Sequence, residues 1–116
     1  MTHFRVDIQL PLKFNKEDGG GLIPEEYFSD TYEELLKIGG GISTSNNQII
    51  GSWINPKDKR RYDDKSVVFT VVVESEGKVI VTNIGKIKEL LEYKEKLKER
   101  FRQHEILMIA TGCTWL

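Results

Sequence analysis

Two histidines, one cysteine, an adjacent aspartate pair and two glycine triplets are the residues of this chain whose types could support chemistry. Spacing decides what each is good for. His3 and His104 lie near the starts of the first and last predicted strands, and a metal site built on them would need a carboxylate such as Glu105 as a further ligand. The expectation is no metal, with His104 instead beside the carbonyl end of the second helix, where the dipole stabilises a cation. Asp63 and Asp64 are neighbours, so on a strand they point to opposite faces and cannot act together as acid and base. Ser52, Thr70 and Cys113 have no activating partner visible in the sequence, although such partners are assembled in space. A single cysteine excludes an internal disulfide and a cysteine-based zinc cluster. No cofactor is expected.

Gly19–Gly21 and Gly39–Gly41 invite a phosphate-loop reading, because glycine lets backbone amides approach an anion. Neither is followed by Lys-Ser or Lys-Thr, and neither has dinucleotide-fingerprint spacing, so both read as turns or caps. Lys57, Lys59, Arg60 and Arg61, with Tyr62 and Lys65 nearby, form the one concentrated basic patch. Such a loop could contact phosphates, yet Asp58, Asp63 and Asp64 dilute it. Residues 67–73 also lack the aromatic-rich signature of a sheet that binds RNA by stacking bases. A solvated hairpin loop is the better reading, and nucleic acid is the least favoured partner.

Positioning these residues falls to a chain of 116 residues, 39% hydrophobic and 30% charged, with a net charge of −1. Its length suits one domain, 1–116, with one core. Its near-neutral balance gives no whole-molecule field toward nucleic acid or an anionic membrane. No apolar run is long enough to span a bilayer, and the N-terminus lacks the form of a signal peptide, so a cytoplasmic location is expected.

From Phe4 to Phe14 apolar residues occupy every even position, the period-two mark of a strand with one buried face, with pairing expected to weaken beyond Leu10 at Pro11. A helix from about Pro24 carries Phe28, Tyr32, Leu35 and Leu36 on one stripe and stops at the second glycine triplet. Ile42 to Asn55 holds a weaker strand, broken by the polar run 43–48. Ser66 to Glu74 is β-branched and completes a hairpin with it. Gly77 marks a turn, and Lys78–Val81 is either a short strand or a lead into the next helix. Asn83 can cap that helix, which runs to about Gln103 with Ile87, Leu90, Leu91, Leu97 and Phe101 inward and a Glu92–Lys96 pair outward. Glu105 to Thr111 is the last strand.

The order strand, helix, strand, strand, helix, strand predicts an α+β fold, a ferredoxin-like βαββαβ sandwich with a four-stranded antiparallel sheet and two helices on one face. The other face is then uncovered. It should carry Arg5, Asp7 and Gln9 from the first strand and Val68, Thr70 and Val72 from the hairpin. Trp53 or Ile49, and Leu107 or Ile109, could join them, making an apolar area broken by polar groups that suits an interface or ligand site.

Three functions compete for that surface. The favoured one is a non-catalytic binding or regulatory module that homodimerises through the open face, where Asp7 and Gln9 would pair across a two-fold axis. The others are a small enzyme with a pocket between paired sheets, and nucleic-acid binding through the basic loop. A small-molecule or protein ligand is compatible with the first two.

Three segments, PEEYFSDTYEELLKIGGGIS, GSWINP and LKERFRQHEILM, spread over most of the chain. In them the sequence resembles a group of short bacterial proteins of unassigned activity, with a Pro-Glu helix start, a glycine stop and a Gly-x-Trp strand. The resemblance implies caps and core and transfers no catalytic residue.

Overall fold

The computed structural model describes residues 2–45, 48–75 and 84–116. Its elements are β1 (Thr2–Pro11), α1 (Glu25–Gly39), β2 (Ile42–Thr44), β3 (Ile49–Ile54), β4 (Arg61–Ser75), α2 (Gly85–Arg100) and β5 (Met108–Cys113), with a 3-10 turn at Lys16–Asp18. The predicted turn at Gly77, the possible strand 78–81 and the Asn83 cap lie outside the described residues.

All strand pairs are antiparallel. β1 lies between β4 and β5, and β2 and β3 both pair with the outer side of β4. With β2 and β3 taken as two pieces of one edge, the order is that of the ferredoxin-like βαββαβ fold. The predicted weak strand is therefore divided, giving five strands among the described residues where four were expected. Its halves follow successive parts of β4, Ile42–Thr44 opposite 69–71 and Ile49–Ile54 opposite 61–66.

The β1 alternation sets the core. Phe4, Val6, Ile8 and Leu10 are buried, facing Leu35 of α1, Leu90 and Leu97 of α2, and Phe69 and Val71 of β4. Both helices thus cover one face. Phe101 closes the core, with Tyr27 and Phe28 packed edge-on against it.

Gly39 permits close packing of α1 on the sheet, since a Cβ there would sit 3.2 Å from Val71 Cβ. Gly40 takes a left-handed φ of 76° as the C-cap and donates to the Leu36 carbonyl.

β1 ends at Pro11, three residues short of the predicted end, yet its pairing survives on one side. Leu12 N–H donates to the Lys65 carbonyl, whereas Gln9 N–H is the last to reach toward β5, donating to Leu107. Backbone donors alternate sides along a strand, so Pro11's missing N–H faces the side where β5 has already gone.

Other boundaries also move. β4 begins at Arg61, five residues before the predicted start, because 61–66 pair with β3. α2 ends at Arg100, where Arg102 turns left-handed at φ 52°, and β5 starts at Met108 rather than Glu105. Within α2, Tyr93 is buried in place of the predicted Leu91, which is exposed. Glu92 pairs with Lys88, while Lys96 reaches Glu34 on α1, so the predicted Glu92–Lys96 pair does not form.

Candidate functional site

On the face away from the helices, register sets Arg5 opposite Val72, Asp7 opposite Thr70 and Gln9 opposite Val68. β5 continues two of these rows with Thr111 beside Arg5 and Ile109 beside Asp7. The centre of the face is already hydrogen-bonded within the chain, since Asp7 accepts from Thr70 Oγ1 at 2.6 Å and from Arg5 Nε at 3.2 Å. Around it lie apolar groups. Ile109 is 50% exposed, Leu107 48%, and Val68 and Val72 are half-buried.

The two histidines sit at opposite ends of this face. Antiparallel pairing places the start of β1 beside the end of β5, so His3 is opposite Cys113, and the two strand starts are not neighbours. His3 Nε2 lies 3.4 Å from Glu74 Oε1, and its ring is near Trp115. A cleft at this end, bordered by His3, Ile38, Ile84 and Trp115, thus has its imidazole committed.

His104 is not at the helix terminus as expected. The α2 carbonyls of Leu97, Lys98 and Glu99 accept from the backbone N–H groups of Phe101, Gln103 and Arg102. His104 instead packs near Tyr62 and lies 3.5 Å from Glu17 Oε1. Tyr62 OH donates to the same oxygen at 3.0 Å and stacks on Trp53 at 5.2 Å between centroids. A backbone hydrogen bond, together with Tyr62 and His104, holds the Glu17 carboxyl below the usual range. Burial and the bond to Glu17 push the Tyr62 phenol up. Glu17 therefore ties the hairpin tip to the loop before β5, a contact spanning 87 residues that spacing does not reveal.

The basic patch is split by its own neighbours. Lys57, Lys59 and Arg60 lie in the β3–β4 turn, but Arg61 is the first residue of β4 and donates to Asp63 at 2.9 Å. Arg60 lies 3.9 Å from Glu17. Asp58 and Asn55 accept from turn backbone N–H groups at Arg60 and Lys57, an Asx-type closure of the hairpin. Two of the four predicted phosphate-contacting cations thus already face carboxylates.

Between the hairpin and the α2–β5 loop lies a cleft of about 310 Å³, whose lining includes Gln9, Gly51, Trp53, Asp64, Gln103 and Leu107. Asp63 and Asp64 do point to opposite faces. Asp63 accepts from Ser52 and Arg61, which hold its carboxyl low, whereas Asp64 turns into the cleft. Burial pushes the Asp64 carboxyl up, and the neighbouring Asp63 charge adds to the shift. The signal was present as Gly-x-Trp. At period two, Gly51 and Trp53 share a face, and register sets them opposite Asp64 and Tyr62.

With this geometry the chain is similar to a phage SAM lyase solved in complex with S-methyl-5'-thioadenosine, at 16% identity and a TM-score of 0.55, over 97% of this chain and 90% of that one. It is also similar to GlnK of B. subtilis, solved as an ATP complex, at 15% identity and a TM-score of 0.48, over 97% and 82%. At such identities the likeness is one of fold, and the ligands belong to those proteins. No family model matches the sequence, and no curated protein does. Among the described residues no helix is long and apolar enough to cross a membrane.

Proposed function

We propose that this chain is a non-catalytic binding or regulatory module that homodimerises through the open face of its sheet. One observation carries the reading: the centre of that face, Asp7 with Arg5 and Thr70, is satisfied inside the chain while its flanks are apolar. Burying Asp7 in an interface costs less when Thr70 and Arg5 already donate to it, and exposed Ile109 and Leu107 gain from leaving water.

Sedimentation or light scattering across a wide concentration range tests this. The wild type should be dimeric, and Val72→Glu with Ile109→Lys should make it monomeric while leaving its circular dichroism unchanged. A wild type that stays monomeric at the highest concentration removes the reading.

A further inference from the structure

Among the described residues Asp64 and Asp18 are half-buried carboxylates without a counter-charge, and of the two Asp64 lines the cleft. Asp63 has Arg61, Glu34 has Arg100 and Lys96, Glu17 has Arg60 nearby, and Glu105 has Lys94 at 2.8 Å. Among the described residues no donor reaches Asp64, and the Gln9 amide in the same cleft makes no hydrogen bond. A partly desolvated carboxylate without a partner is costly, and such a group persists where a ligand supplies the partner.

Gly51, opposite Asp64, keeps the place open. A Cβ built there would have nothing within 4 Å, and its φ is not in the left-handed region. Neither packing nor backbone geometry calls for glycine, which inside a strand weakens it and marks close approach of another group. Two positions along, Trp53 gives the cleft an aromatic wall, and tryptophan is the side chain that best attracts a cation. Leu107 and Pro11 supply apolar surface.

We propose that this cleft binds a small organic cation, an ammonium or guanidinium group on an apolar body, with Asp64 as its counter-charge, Trp53 as its wall and Gln9 as a further acceptor. The volume suits a ligand at the small end of ordinary sites. The site stands on the hairpin, β1 and the α2–β5 loop, and it shares Gln9 and Leu107 with the open face of the sheet, so its binding is measured with and without self-association.

The test uses the full chain with Trp115→Phe, which leaves Trp53 as its only indole. Phenethylamine and agmatine are titrated against Trp53 fluorescence, with 2-phenylethanol and phenylacetate as neutral and anionic controls. The cations should give saturable quenching and the controls none. Asp64→Asn should weaken binding by about tenfold or more, and Gly51→Leu, which fills the notch without touching a polar group, should abolish it with the fold intact by circular dichroism. Repeating the titration with Val72→Glu and Ile109→Lys added, neither of which lines the cleft, separates this site from dimerisation. Equal binding of 2-phenylethanol, unchanged affinity in Asp64→Asn, or no saturable binding of either cation overturns the proposal.

Discussion

Asp63 and Asp64 differ only in which way the strand turns them, and that decides their energetics. Asp63 is held low by Ser52 and Arg61, while burial and its neighbour push Asp64 up. A carboxyl whose folded pKa exceeds its unfolded value of about 3.8 disfavours the folded state once ionised. The penalty is full above the folded pKa and vanishes as pH falls to the unfolded one. Asp64→Asn should therefore raise the Tm at neutral pH, with the gain disappearing in acid, whereas Asp63→Asn should lower it slightly or not at all, since exposed pairs contribute little. Thermal denaturation against pH for both variants checks this. The opposition of the two side chains was legible, because strand parity is local. The burial of Asp64 was not, because it depends on Gly51 across the hairpin and on a loop some forty residues further along the chain.

Elements meet through polar contacts that periodicity does not announce. The apolar stripes of α1 and α2 were readable, but what fastens the helices to each other is Arg100, which donates to Thr31 at 2.8 Å and pairs with Glu34. Burial alone would raise Glu34, yet Arg100 and Lys96 win and hold its carboxyl low. The sequence predicted Lys96 as half of a surface pair within α2, because i,i+4 spacing is visible and a facing helix is not. Arg100→Met removes the cation from a partly buried carboxylate and leaves the Thr31 hydroxyl without that donor. The expected cost is about 1–3 kcal/mol, read by urea unfolding, and adding Glu34→Gln should recover part of it. At the hairpin, Tyr62→Phe removes the hydroxyl that donates to Glu17 but keeps the ring against Trp53. Hydrogen exchange should then quicken in β3 and the β3–β4 turn while β1 stays protected, because local opening follows local contacts.

Across the whole molecule, the fold was legible because the order strand, helix, strand, strand, helix, strand leaves few ways to cover every apolar face, and the alternation of β1 alone specified the core side of the sheet. The divided edge strand was less legible, since β4 is long enough to pair with two short strands in succession and only its central part is β-branched. The same view divides the forces holding the structure. Apolar packing joins α1, α2 and β4 to β1, whereas carboxylates held below their ordinary range join elements to one another: Glu17 links the 3-10 turn to the hairpin, Glu34 links α1 to α2, and Glu105, through Lys94, links the α2–β5 loop to α2. For a carboxyl depressed in the folded state, the stabilisation is present above the unfolded pKa, about 4.5 here, and is lost as pH falls through the folded value. Stability should therefore be flat above the carboxylate range and decline below it. Elements should loosen from one another before β1 and β4 lose their ladder. Glu34→Gln should flatten that decline more than Glu17→Gln, because the Glu34 pair is less exposed and therefore less screened. Chemical denaturation at a series of pH values reads the slopes directly, and an identical decline in the two variants and the wild type would mean that acid acts elsewhere.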